Sequence, residues 1–89
     1  MRNIDYTSRF KRHFKKLNPA LKKSVKKTIE LLKNNPFPHS LKVHRLTWKL
    51  SRFYSCSVDY SNRIIFDIED DWTILLVLVG DHSIYKQWI

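Results

Sequence analysis

Two hydrophobic rhythms divide this chain. In the first third, apolar residues recur every three or four positions, first Phe10, Phe14 and Leu17, then Leu21, Val25, Ile29 and Leu32. A period near 3.6 gathers each set on one face of a helix. Thr7 or Ser8 offers the N-cap of the first helix, and Asn18-Pro19 gives the second a cap followed by a proline at its first position. The pattern stops at Asn34-Asn35-Pro36. Almost no chain separates the two helices, so they are expected to form an antiparallel hairpin with both apolar stripes on one core. Ahead of them, residues 3–6 are read as a short first strand.

Beyond Pro36-Phe37-Pro38, which cannot continue a helix, the period changes to two. Tyr54, Cys56 and Val58 alternate with Phe53, Ser55 and Ser57; after a turn at Tyr60-Ser61-Asn62, Ile64, Phe66 and Ile68 alternate with Arg63, Ile65 and Asp67. That is the signature of a β-hairpin. A second turn at Glu69-Asp70-Asp71 leads into residues 72–79, whose almost unbroken apolar run predicts a strand in mid-sheet, covered on both faces and ending at Gly80. The fold class expected is α+β, with a short N-terminal strand and a helical hairpin packed on one face of a three- to four-stranded antiparallel sheet. The face away from the helices is expected to be polar, because period two puts Ser55, Ser57, Asp59 and Arg63 there. An arginine in such a place either meets a ligand or pairs with a carboxylate of the sheet, here Asp67.

The 89 residues suit one domain over 1–89, and 43% hydrophobic residues with a single glycine supply enough apolar surface for a core. A lone cysteine, Cys56, forms no internal disulfide, and no Cys and His spacing fits a zinc site, so neither metal nor cofactor is expected and a reducing cytoplasm suits the chain. The opening MRNIDYTSRF has no apolar stretch of the signal-peptide kind, and the run at 74–79 is too short to span a bilayer, so no membrane association is expected. Charge is less even. Fourteen basic and two acidic residues precede Ser51, while three basic and six acidic follow, within a net +9. Lys11, Arg12, Lys15, Lys16, Lys22, Lys23, Lys26 and Lys27 make the outer helix faces basic. Such a surface serves for solvation, for an acidic protein, or for a polyanion such as RNA, whose binding gains from counterion release.

Three features taken in order carry a resemblance over nearly the whole chain: the succession of elements, the segment Asn62-Arg63-Ile64-Ile65-Phe66 after a strand and turn, and the closing Val79-Gly80-Asp81-His82-Ser83-Ile84-Tyr85. They resemble the RelE/ParE toxin superfamily, near its YafQ-like branch. The Arg63 segment is similar to the phosphate-binding arginine segment of RelE-type toxins, and Gly80-Asp81-His82 to the Gly-Thr-His that carries an essential histidine in YafQ-like members. His39, in Pro38-His39-Ser40-Leu41, resembles the family's His-Pro-Leu segment. The resemblance implies an endoribonuclease that cuts messenger RNA in the A site of the ribosomal 30S subunit. It also implies a cognate antitoxin encoded beside the toxin and assembled with it. The chain departs from the pattern at Ser57, where YafQ-like toxins have a histidine, and at Ser61, where they have an aspartate; Tyr85 follows His82 by three residues where the family aromatic often follows by four.

Cleavage of RNA by its own 2′-hydroxyl needs a base for that proton, an acid for the departing 5′-oxygen and a cation for the charge growing on phosphorus, and no metal. With the resemblance in hand, His82 is the first candidate for proton transfer and Arg63 for holding the scissile phosphate through its planar fork. His39 or His44 would supply the second proton-transfer group, and Tyr85 a stacking or proton-donating ring. Lys49 and Arg52 would reach phosphate, and Lys22 and Lys26 would extend the RNA surface. His13, inside a basic helix, is read as a surface residue. Two other classes share these features. One is a ParE-like, non-enzymatic inhibitor of DNA gyrase. The other is a non-catalytic RNA-binding module that would stack bases on Phe53, Tyr54, Tyr60 or Trp72, residues that also suit core and strand positions.

Overall fold

In the computed structural model, residues 2–34, 41–47, 50–70, 72–81 and 83–84 are described. The chain runs through β1 (Asn3–Tyr6), α1 (Ser8–Lys15), α2 (Pro19–Asn34), β2 (His44–Arg45), β3 (Tyr54–Ser57), β4 (Arg63–Asp70) and β5 (Thr73–Gly80). Both helix starts follow from local chemistry. Thr7 is the N-cap of α1: its Oγ1 accepts from the Phe10 amide at 3.0 Å and donates to the Val77 carbonyl at 2.9 Å, which fastens the start of the helix to β5. Asn18 does the same for α2, accepting from the Leu21 amide at 2.8 Å, with Pro19 at the first helical position.

The five strands form one sheet in the order β1-β5-β4-β3-β2. The central hairpin is as expected: β3 and β4 are antiparallel, with Cys56 opposite Ile64 and Tyr54 opposite Phe66. β5 lies between β4 and β1 with Ile74, Leu76, Leu78 and Val79 buried, as its continuous apolar run requires. The expected count of three to four antiparallel strands needs correction. β1 joins β5 in parallel, with Ile4 opposite Ile74 and Tyr6 opposite Leu76, and the two-residue β2 adds a further edge. The sheet is therefore mixed. Between β1 and β5 come both helices and β2 to β4, a long connection of the kind that a parallel pair requires.

The helices cover one face. Phe10 of α1 and Val25, Ile29 and Leu32 of α2 bury themselves against Cys56, Ile64, Phe66, Ile74, Leu76 and Val79, with Tyr54, Val58 and Ile68 at the margin. The period-two reading of the hairpin is thus met position by position. The opposite face is not the polar surface expected. Ile65, Val77, Leu78 and Ile84 form a second buried cluster there, with Leu46, Phe53 and Leu75 against it. Leu46 and Phe53, joined by a hydrogen bond from the Leu46 amide to the Phe53 carbonyl at 2.9 Å, and Ile84 beyond β5 cover it. Polar groups remain at its borders, where Asp67 is buried and Arg63 half-buried. No helix among the described residues is long and apolar enough to cross a membrane.

Cys56 sits fully buried in the larger cluster, and burial pushes its thiol up from 9.0 to about 12, against smaller opposing effects of the Ile64 backbone and the Arg63 charge. The folded protein therefore keeps this proton where an unfolded chain loses it. Its contribution is complete below about pH 9 and declines as pH rises toward about 12. Two results are expected. The thiol should resist iodoacetamide until denaturant unfolds the chain, and the fall in urea stability between about pH 8 and about pH 10.5 should be smaller in Cys56→Ala. Labelling of the native protein at the rate of a free thiol would contradict the burial.

Candidate functional site

The turn from β3 to β4 and the corner after β5 lie side by side. Asp59 organises the turn: its Oδ1 accepts from the Ser61 amide at 2.9 Å and the Asn62 amide at 2.8 Å, and the Asn62 side chain donates to both carboxylate oxygens. Slight desolvation acts to raise this carboxyl; the Asn62 side-chain bond, the two amides and the Arg63 charge outweigh it and hold the group below its usual value. Arg63 follows as the first residue of β4, paired in register with Ser57 on one side and Gly80 on the other. Its Nη1 donates to the carbonyls of Asp59 at 2.9 Å, Asn62 at 3.1 Å and Tyr60 at 3.4 Å. Nε and Nη2 make no hydrogen bond to a described residue.

Gly80 closes β5 with φ 156°, and a Cβ there would stand 2.5 Å from Ile84 Cγ2. Only glycine fits without displacing a buried side chain. Next, Asp81 takes the Ser83 amide on Oδ1 at 2.9 Å and the Ile84 amide on its carbonyl at 3.1 Å, a tight corner. This corner, Asn62 and the end of α1 bound a cleft of about 400 Å³ lined by His13, Lys16, Asn18, Asn62, Gly80, Asp81 and Ser83. Gly80→Ala is expected to cost about 1–3 kcal/mol through overpacking against Ile84 and to shift the corner. Thermal unfolding measures the first effect; an unchanged melting temperature would show that Ile84 yields freely.

On the other side of the turn lies a second cavity, of about 610 Å³, that brings Arg63 together with Lys27 of α2, Lys42, Ser57 and Tyr60. Lys42 holds a positive φ of 50°, uncommon for a residue with a side chain. Tyr60 is 95% exposed.

Of the residues singled out from the sequence, His39, Lys49, His82 and Tyr85 lie outside the described residues. Asp81 and Ser83, which flank His82 in the chain, line the cleft of about 400 Å³. Arg63 is not paired with Asp67. That buried carboxylate takes Arg52 Nε at 2.8 Å, so Arg52, expected at phosphate, is engaged in an ion pair. His44 is exposed on β2 at the sheet's far edge, with Nδ1 3.4 Å from the Lys42 carbonyl. Lys26 borders a groove between α1 and α2, and Lys22 lies 5.9 Å over the Phe14 ring; neither lines a cavity with Arg63. The structure adds three residues to the candidate site. His13 faces the Gly80–Ser83 corner, and Lys27 and Lys42 share the Arg63 cavity. A helix-borne histidine in a basic run carries no local signal for this. Only the path of α1 past the end of β5 brings it there. Among the described residues no group of acidic, His and Cys side chains is disposed to hold a metal.

Residues 2–86 match the family described as the bacterial toxin of type II toxin-antitoxin system, YafQ. The chain belongs to the YafQ toxin family. Solved structures share its fold. The chain is similar to YafQ from E. coli strain BL21(DE3) with a TM-score of 0.79 and 22% identity, over 96% of this chain and 98% of that one. It is similar to a YoeB/ParE toxin from Agrobacterium tumefaciens with a TM-score of 0.78 and 12% identity, over 90% and 98%. It is also similar to a chain of the E. coli DinJ-YafQ toxin-antitoxin complex with a TM-score of 0.77 and 23% identity, over 93% and 94%. Among curated proteins none matches. Within the YafQ family frame, the Arg63 turn and the Gly80–Asp81 corner are the two segments that carried the resemblance in the sequence.

Proposed function

We propose that this toxin is an endoribonuclease that cleaves messenger RNA on the ribosome by attack of the 2′-hydroxyl, and that a cognate antitoxin holds it inactive. The observation that supports this most is the register that sets Arg63 directly beside Gly80, two residues before His82. An arginine whose Nη1 alone is engaged by the described residues and a histidine two residues from its strand neighbour provide the two kinds of group the reaction needs. Arg63 binds the scissile phosphate through Nε and Nη2 and stabilises the charge that develops on it. His82 transfers a proton at the departing 5′-oxygen. His13, which lines the cleft with Gly80, Asp81 and Ser83, is the described histidine we assign to the 2′-hydroxyl, since Ser57 stands where the family has its strand histidine. Lys27 and Lys42 meet flanking phosphates, and Tyr60 offers a ring for stacking. That the similar E. coli YafQ is found in a complex with DinJ supports the antitoxin as the partner.

Induced expression with and without the neighbouring gene, followed by mapping of RNA ends, tests this reading. Growth arrest with new 5′ ends inside translated messages is expected, and both should vanish when the neighbour is co-expressed. Arrest with intact messages and broken DNA would instead point to gyrase.

A further inference from the structure

One residue of the far sheet face is out of keeping with its surroundings. Asp67 stands on the same face of β4 as Ile65 and opposite Leu75 of β5, the one a member of the second apolar cluster and the other packed against it. Its side chain is only 6% exposed, and a carboxylate taken out of water destabilises a fold unless a partner compensates it. The partner is Arg52, on the segment between β2 and β3, whose Nε lies 2.8 Å from Oδ2. The pairing is one-sided. The Arg52 side chain remains 71% exposed, the bond uses Nε alone, and Nη1 and Nη2 make no hydrogen bond to a described residue. The Phe53 ring, with its centroid 6.0 Å from Cζ, flanks the same guanidinium. A buried carboxylate thus fixes one edge of an arginine whose far end carries further N–H donors in one plane.

We infer that Arg52, held by Asp67, reads a guanine base beside the cut and so sets sequence preference; that the ligand is RNA rests on the reading above. The planar guanidinium matches O6 and N7 of guanine, two acceptors on one base edge that unpaired RNA leaves open. A phosphate suits this arginine less well. The carboxylate 2.8 Å away offsets the charge that would attract an anion, whereas a neutral base edge needs only directed donors. Arg63 differs, since its hydrogen bonds to described residues all go to neutral carbonyls. The buttress has a second effect. A free surface arginine loses rotamer freedom when it binds, and a side chain already fixed at Nε loses less. Asp67 lies four residues along β4 from Arg63, about 13 Å, so the base read neighbours the nucleotide whose phosphate Arg63 holds.

The test uses short RNA oligonucleotides, 2′-O-methylated throughout so that none can be cut, with guanosine, inosine, 7-deazaguanosine or adenosine at one position in a uridine background. Binding to the purified chain is followed by fluorescence anisotropy. Guanosine and inosine, which both present O6 and N7, should bind about 5- to 150-fold more tightly than adenosine, which has an amino group in place of O6. The 7-deazaguanosine probe, which lacks N7, should fall between them. Arg52→Lys, a change at an exposed side chain, should bring the guanosine-to-adenosine ratio close to one. Asp67→Asn should lower the ratio as well although the arginine is still present, an effect that a purely structural ion pair does not produce. On translated messages, the ends made by Arg52→Lys should lose a guanosine that recurs at a fixed place beside the parental cuts. Equal affinity for all four probes, or a preference kept by an Arg52→Lys chain with native circular dichroism, overturns the inference. So does a loss of affinity that is the same for every base, as a phosphate contact predicts. If the chain selects guanosine yet cuts no RNA, the functional reading falls and the assignment of Arg52 stands; cutting without base preference does the reverse.

Discussion

His82→Ala is expected to reduce RNA cleavage by roughly 100- to 10,000-fold, the usual contribution of a positioned acid or base. Growth arrest should disappear with it, while the protein still folds and binds its antitoxin. The expectation rests on what surrounds the residue in sequence. Gly80 is fixed by the Ile84 side chain, Asp81 ties the corner through two hydrogen bonds, and Ser83 lines the cleft with Asp81. His82→Gln, which keeps a polar side chain but cannot transfer the proton, should lose as much of the rate as His82→Ala. If His13 supplies the partner group, His13→Ala should lower the rate as well. A soluble His82→Ala chain with full cleavage would end the proposed chemistry, and a rate that falls only in proportion to lost thermal stability would make the residue structural.

The sequence disclosed what is decided locally. Thr7 and Asn18 cap their helices with side-chain oxygens three residues from the amides they accept, so both starts can be read within a few positions. The hairpin is equally local, since period two alone puts Cys56, Ile64 and Phe66 on the helix side. The parallel docking of β1 is not local. Residues 3–6 meet β5 seventy residues later, and nothing in four residues of which only Ile4 is half-buried specifies the direction of pairing. The polar far face failed for a similar reason: Ile65 and Leu78 are buried by segments that return over them, and the near-continuous apolar run of β5 was the available sign of that cover. For Asp67, strand geometry was decisive. Four residues of strand separate it from Arg63 by about 13 Å, beyond the reach of a side-chain pair, whereas Arg52 comes from another segment and meets it at 2.8 Å. His13 joined the candidate site only through the packing of α1 beside β5.

Arg63→Ala is expected to lower single-turnover cleavage by about 100- to 1000-fold, the typical cost of removing a donor that stabilises developing charge. The structure adds a second effect. Nη1 holds three carbonyls of the β3–β4 turn, so truncation also frees residues 59–62, at a net cost of about 0.5–1.5 kcal/mol for each hydrogen bond that water does not replace. Rate and stability must therefore be measured together. Arg63→Lys separates them: an ammonium can still meet one turn carbonyl or one phosphate oxygen, but it lacks a fork that does both at once. Its melting temperature should stay near that of the parent while most of the rate is lost, and RNA affinity should fall less than the rate. An arginine that only fastens the turn predicts another pattern, in which Arg63→Lys cleaves at nearly the parental rate and Arg63→Ala loses activity only as far as it loses folded protein. Cleavage by Arg63→Ala at the parental rate, under conditions where it is fully folded, would remove this residue from the site.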